Sequence, residues 1–330
     1  MKSKLKWGIL STADIATEQV IPAMITSNFC EIQAIASRSA EKAQRVAKQY
    51  GIPVSYGSYN ELLADENVEA VYIALPNHLH VPWSMKALAV GKHVLVEKPV
   101  GLNRTEAEKL LVASQKYPHL KIMEAFMYRF HPQWIKTKAL VQNGAIGQIK
   151  AIQSAFSFFD DNSESIVNRK DYGGGSLMDI GCYPISLSRF LFDSEPKSVS
   201  ATIEYHPEFK IDTRTSGILE FDHGSTTFFS SIRSADDQTA KIWGSEGSIE
   251  FDIPFNPPAN NPTKIWLTRA GNREEIKFAP ANQYTLQADA FSRAILENTP
   301  VPTSLIDAVN NMHVIDKIFE SDAAGKRIIV

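Results

Sequence analysis

From residue 6 to residue 126 the chain alternates short, nearly continuous apolar runs with longer stretches of helical period. The runs are KWGIL (6–10), EIQAIAS (31–37), PVSYG (53–57), EAVYIAL (69–75), HVLVEK (93–98) and LKIMEAF (120–126). Helical patterns lie between them, most clearly at 14–26, 40–49, 80–90 and 104–116. In SAEKAQRVAKQYG, Ala40, Ala43 and Ala47 fall at helical spacing, Ser39 stands as N-cap and Gly51 closes the segment. Strands apolar on both faces, separated by helices, predict a doubly wound parallel sheet covered by helices on each side.

After about residue 130 the pattern changes. The sequence predicts a helix after His131 with Pro132 in its first turn, ending near Asn143-Gly144, then a long strand QIKAIQSAFSFF. A loop ending in Gly173-Gly174-Gly175 leads to a helix from Ser176 to about Phe192. SVSATIEY, SGILEFD, STTFFSSIR, AKIWGS, GSIEFD, TKIWLTR and EEIKFAP then follow with no helix between them, and helices near 283–297 and 303–321 close the chain. Consecutive strands of this kind predict an open, mostly antiparallel mixed sheet. The fold class is therefore α/β followed by α+β, with domains expected at 1–125 and 126–330.

Composition narrows the function classes. A net charge of −3 gives no electrostatic reason to expect nucleic acid. No run approaches the roughly 20 apolar residues of a membrane-spanning helix, and the charged start, MKSKLKWGIL, is a short tail entering a strand. Cys30 and Cys182 make neither a disulfide framework nor a zinc motif, in keeping with a reducing cytoplasm. His78, His80 and His131 have no acid or cysteine at ligand spacing, so no metal is expected.

The first strand–helix turn reads Ser11-Thr12-Ala13-Asp14-Ile15-Ala16. A dinucleotide turn of the form G-x-G-x-x-G/A uses glycine for the tight bend and for close approach of the backbone to a pyrophosphate. Here serine and alanine replace the first two glycines, and Ala16 is an accepted third residue. Side chains stay small, Ser11 and Thr12 add hydroxyls, and the helix N-terminus with Ala13 and Ile15 can still meet a phosphate. The second strand ends in Ser37-Arg38-Ser39, with no acid before Glu41. A dinucleotide held there is expected to be NADP rather than NAD, because an Asp or Glu serves the NAD ribose.

Two stretches carry chemistry. VLVEKP (94–99) ends a buried strand in Glu97, Lys98 and Pro99, and residues past the carboxyl end of such a strand face the ligand crevice. A lysine beside an oxidised nicotinamide has its pKa lowered by like charge and desolvation, which suits proton transfer. YGGGSLMDIGCYP (172–184) places Asp179 and Tyr183 four residues apart on one helix face, with Ser176 as the expected N-cap.

Together with EAFMYRFHPQ (124–133), these stretches resemble the glucose–fructose oxidoreductase/inositol dehydrogenase (Gfo/Idh/MocA) family. The nearest likeness is to its dihydrodiol dehydrogenase and NADP-dependent xylose dehydrogenase branch, and it spans essentially the whole chain. The resemblance implies a Rossmann domain, a second domain whose open sheet often forms a dimer interface, and hydride exchange between a nicotinamide and a hydroxyl-bearing carbon of a sugar, polyol or dihydrodiol. It implies that Lys98 contacts the reacting oxygen, that Tyr183 gives or takes the proton, and that Asp179 is a substrate-site carboxylate. It also places Pro76, Asn77 and His80 of LPNHLH, with Glu97, on the cofactor side, and Arg129 of MYRFHP along the substrate. The departures at Ser11 and Ala13 motivate an alternative, a dinucleotide-binding sensor without turnover.

Overall fold

A computed structural model describes residues 4–330; the tail expected at residues 1–3 lies outside them. The chain divides into two compact units, residues 1–127 with 282–309 and residues 128–281 with 310–330.

The first unit is built on a six-stranded parallel sheet. Its strands are β1 (Leu5–Leu10), β2 (Cys30–Ala36), β3 (Val54–Tyr56), β4 (Ala70–Ile73), β5 (His93–Val96) and β6 (Ile122–Glu124), in the order β3-β2-β1-β4-β5-β6. This is the doubly wound arrangement, with the order reversing between β1 and β4. The first crossover opens as a π-turn, Ile15–Val20, that runs into α1 (Ile21–Ile25). The other crossovers carry α2 (Ala40–Tyr50), α3 (Tyr59–Ala64), α4 (His80–Ala89) and α5 (Arg104–Ser114). The end signals of α2 act as expected. Ser39 Oγ accepts from the Lys42 N–H, and Gly51 takes the left-handed conformation at φ +68°.

The expected boundary at 125/126 describes only the first crossing of the chain. Residues 282–309 return to the first unit, which corrects the assignment of the whole of 126–330 to the second. The physical reason is burial of Trp7. Its ring lies 5.7 Å from Phe291, and its Nε1 donates to Ser292 Oγ at 3.1 Å. Thr285 Oγ1 also donates to the Ala23 carbonyl at 3.0 Å, and Ser27 Oγ donates to Asp289 Oδ1. All of these partners belong to α8 (Gln283–Leu296).

The second unit holds α6 (Pro132–Gln142), β7 (Ile149–Phe159), α7 (Cys182–Phe192), β8 (Ser198–Tyr205), β9 (Asp212–Glu220), β10 (Ser225–Ser231), β11 (Arg233–Gly244), β12 (Gly247–Phe251), β13 (Thr263–Arg269), β14 (Asn272–Phe278), most of α9 (Leu305–Ala324) and β15 (Ile328–Ile329). The nine strands form one sheet in the order β14-β13-β12-β11-β7-β10-β9-β8-β15. Only the β10–β7 pairing is parallel. α7 is buried from Cys182 to Arg189 and packs on β7 and β10. The opposite face carries one row of paired residues: Ile218, Thr227, Gln153, Lys241, Glu250, Trp266 and Glu275.

Candidate active site

At the end of β1, Ser11 has φ +119°, a backbone conformation that favours glycine. Its N–H donates to the Ala36 carbonyl at 3.0 Å, and its Oγ accepts from the Ala13 N–H at 3.0 Å. The turn keeps the shape that the first glycine of a dinucleotide fingerprint supplies, while the side-chain bond offsets part of the strain. The Ala16 and Thr17 N–H groups donate to the Ala13 carbonyl, and the helix start after this turn is where a dinucleotide fold places a pyrophosphate.

Hydroxyl groups gather at the end of β2. Ser37 is buried, and its Oγ accepts from Thr12 Oγ1 at 3.4 Å and from the Ser39 N–H at 3.3 Å. Arg38 is exposed, and none of the ion pairs between described residues involves it. Tyr59, a buried residue that opens α3, has its phenol raised above the usual range by burial, and the charge of Arg38 opposes the shift. A cation with its charge uncompensated, a set of hydroxyls and no acid at the strand end fit a dinucleotide with a 2′-phosphate.

Lys98 follows β5 in a segment braced from several sides. The Glu97 N–H donates to the Ile73 carbonyl at 3.0 Å, and the Val100 N–H donates to Oε1 of the buried Glu124 at 2.7 Å. Tyr72 Oη donates to Glu97 Oε1 at 2.5 Å, and Glu97 Oε2 accepts from the Lys98 N–H at 3.2 Å. His80 is 1% exposed, with Nδ1 2.7 Å from the Pro99 carbonyl and Nε2 2.6 Å from the Leu75 carbonyl. Burial pushes its imidazole down to about 4, against the pull of the two carbonyls. Glu97 and His80, the residues expected on the cofactor side, brace the lysine segment through these bonds. Pro76 and Asn77 remain half-buried at the short 3₁₀ turn Asn77–Leu79 after β4.

Tyr284 joins this cluster and was not expected from the sequence. It lies in the first turn of α8, which Asn282 caps by accepting from the N–H groups of Tyr284 and Thr285 at 3.0 and 3.3 Å. Burial drives its phenol well above the usual range; the charge of Glu97 adds to the shift and that of Lys98 opposes it. The N-cap Asn282 was the available sequence signal.

In the second unit the helix bearing Asp179 and Tyr183 starts differently from expectation. Leu177–Gly181 is a π-turn that continues into α7. Ser176 is not its cap, since its backbone is already helical and its Oγ donates to Ser230 Oγ at 2.8 Å. The cap is Asp212, buried at the start of β9, whose Oδ2 accepts from the Leu177 N–H at 2.6 Å. Burial pushes this carboxyl up to about 6; the Leu177 N–H opposes the shift and the charge of Asp179 adds to it. Gly175 has φ +118°, and a Cβ there would collide with Asp212 Oδ1. The third glycine of the loop is therefore required both by backbone conformation and by space.

Tyr183 is 4% exposed and its ring lies among those of Tyr128, Phe156 and Phe255, at 5.9, 5.5 and 5.3 Å. Phe255 reaches this cluster from the proline-rich loop after β12. Trp134 Nε1 fixes that loop by donating to the Pro254 carbonyl at 2.6 Å, Gln133 Nε2 donates to the Ile253 carbonyl at 2.8 Å, and Gln238 Oε1 accepts from the Phe255 and Asn256 N–H groups. Asp179 is half-buried in the π-turn, so the pair does not share a regular α-helix. Arg129 braces α7: its Nη2 donates to Ser186 Oγ at 2.8 Å, and its guanidinium lies over the Phe190 ring. Among the described residues there is no cluster of metal-ligating side chains, and no helix is long and apolar enough to cross a membrane.

Residues 5–125 match the oxidoreductase family with an NAD-binding Rossmann fold, and residues 134–250 match the GFO/IDH/MocA C-terminal domain. The chain is 36% identical to a D-xylose 1-dehydrogenase (NADP(+)) of Haloferax volcanii, over 98% of this chain and 99% of that one. It is 34% identical to a trans-1,2-dihydrobenzene-1,2-diol dehydrogenase of Xenopus laevis, over 96% and 97%. Among solved structures, a 3-ketoreductase from Actinomadura kijaniata in complex with NADP and TDP-benzene superimposes with a TM-score of 0.90 at 28% identity, covering 97% of this chain and 98% of that one.

Proposed function

The chain belongs to the Gfo/Idh/MocA oxidoreductases, and from that premise we propose that it is an NADP-preferring dehydrogenase of an aldopyranose such as xylose, or of a related polyol or dihydrodiol. The observation that carries the reading is the bracing of Lys98, whose backbone is pinned through Glu97, Pro99 and Val100 while its side chain stands at the carboxyl end of a parallel strand. Rigid placement of a reactive group is what a positioned proton transfer requires.

When bound, the nicotinamide supplies the hydride acceptor. The chain's own part is the proton. Tyr183 takes it from the substrate hydroxyl and returns it in reverse, and the Lys98 ammonium is a hydrogen-bond donor for a substrate oxygen. Asp179 orients a substrate hydroxyl. Membership of a family of enzymes that turn over favours this reading over a sensor without turnover. A second copy of the chain on the open sheet face is the proposed oligomer, supported by the exposure of Ile218 in that row.

The test is a screen of aldopyranoses and a trans-dihydrodiol with NADP⁺, read as nicotinamide reduction, followed by Lys98→Met and Tyr183→Phe on the best substrate. Loss of kcat by about 100-fold or more in each is expected. Retention of kcat within about twofold in both variants sinks the assignment.

A further inference from the structure

We propose that Asp212 is a positioning residue for the reaction: turned inward by a bulge in β9, its side chain holds the π-turn that carries Asp179. The inference rests on the assignment of Asp179 to a substrate hydroxyl.

Strand alternation alone would put Asp212 on the wrong side for this task. Along β9, residues 213, 215, 217 and 219 are buried, while Arg214 and Ile218 are exposed. By parity Asp212 belongs with Arg214 and Ile218, yet it is 2% exposed. The pairing with β8 accounts for the reversal. Arg214 pairs with Glu204 and Asp212 pairs with Tyr205, so Thr213 is the extra residue of a bulge. Bulges re-aim the side chains beside them. This one is fixed at Thr213, whose Oγ1 donates to the Glu204 carbonyl at 3.1 Å and whose carbonyl accepts from the Ile232 N–H at 3.0 Å.

A carboxyl group brought inside needs donors, and the π-turn supplies one. Asp212 Oδ2 accepts from the Leu177 N–H at 2.6 Å and from Thr215 Oγ1 at 3.4 Å. Oδ1 lies against Gly175, where a Cβ would collide with it. The Gly175 carbonyl in turn accepts from the Asp179 N–H at 3.0 Å. Asp212 thus grips the two residues, Gly175 and Leu177, through which the backbone of Asp179 is placed. In a regular α-helix Asp179 and Tyr183 would stand one above the other. The widened turn at Leu177–Gly181 shifts them out of that register, and the contacts of Asp212 keep it so. Such a hold matters because a misplacement of about 1 Å can lower a rate by about 100-fold.

The experiment compares wild type, Asp212→Ser, Asp212→Asn, Asp179→Asn and the Asp179→Asn/Asp212→Ser double variant of the full-length protein. Kinetics are measured on the best substrate of the screen above at saturating NADP⁺, alongside amide hydrogen exchange across residues 175–183. Serine fits the space, but its hydroxyl falls one bond short of the Leu177 N–H. Asparagine keeps an acceptor at the original reach. Asp212→Ser is expected to lower kcat/KM by about 10- to 30-fold and to speed exchange in the turn, with the NADPH Kd unchanged. Asp212→Asn is expected to stay within about threefold of wild type. In the Asp179→Asn background, Asp212→Ser is expected to lower kcat/KM by no more than about twofold. The proposal is overturned if Asp212→Ser leaves kcat/KM or the exchange of the turn unchanged. It is overturned equally if Asp212→Asn loses as much as Asp212→Ser, or if the loss is the same with and without the Asp179 carboxyl. If no member of the screen turns over, or Asp179→Asn leaves kcat and KM unchanged, the reading of the site itself fails. An unaffected Asp212→Ser beside an impaired Asp179→Asn rejects only the role of Asp212.

Discussion

Acid should destabilise this protein through one histidine in a way that a single substitution isolates. His131 caps α6, with its Nδ1 accepting from the Gln133 N–H at 3.2 Å. The residue is 0% exposed, and its Nε2 has no partner. Burial pushes its imidazole down to about 4. Protonation would put a charge where water cannot reach it and replace the capping lone pair by a second donor facing an N–H. In the unfolded chain the same ring titrates near 6.5. Between those values the unfolded state binds the proton and the folded state does not. Stability is therefore complete above about pH 6.5 and falls as the pH drops toward 4. A shift of this size corresponds to about 3 kcal/mol at pH 4.

His131→Asn keeps a good N-cap and does not titrate. It loses ring packing, but that loss is the same at every pH. Buried His80 and half-buried His93 also titrate near 4 and Asp212 near 6, and all three are present in both proteins, so they cancel in the comparison. Urea unfolding followed by tryptophan fluorescence at about pH 7.5 and about pH 4 should show the stability gap between wild type and variant moving by about 3 kcal/mol in favour of the variant on acidification. A gap constant to within about 0.5 kcal/mol would refute the claim that His131 is neutral and capping in the folded state.

Two further substitutions test the turns. Gly175→Ala forces a side chain into the left-handed region and against Asp212, so a loss of about 2–4 kcal/mol in thermal unfolding is expected, with NADPH affinity retained because the residues proposed for the cofactor lie in the other unit. Ser11→Gly removes strain of about 1–2 kcal/mol but also the Oγ acceptor and some rigidity, so the melting temperature should change little. It releases the Ala13 N–H, and NADPH binding tighter by about 2- to 5-fold is expected; weaker binding would show that the serine hydroxyl serves the cofactor directly.

The sheet of the first unit was legible because a strand buried on both faces leaves an apolar run that few other structures require. The short helix α3 was missed although Ser58 and Glu61 have capping-box spacing, because six residues give too little periodicity to separate from a loop. The return of α8 to the first unit was not legible. Amphipathic spacing shows that a helix has a buried face but not which core it joins. Among the candidate site residues, Lys98 and Tyr183 stand out by residue type and order. Their supports do not. Glu124 reads from sequence as a strand-end charge and Asp212 as a turn residue, and only the fold reveals buried carboxylates that accept backbone N–H groups.

The return of 282–309 has a consequence for synthesis. During translation the N-terminal part of a chain emerges first and generally folds first. Here the partners of Trp7 emerge only after residue 281, behind eight of the nine strands of the second unit's sheet. Until then a tryptophan that ends 0% exposed has no cover from Phe291. The segment around Trp7 is thus made before its cover and completed only when α8 arrives. Excision of residues 1–127 would give a sheet with an open apolar flank rather than a portable cofactor-binding module.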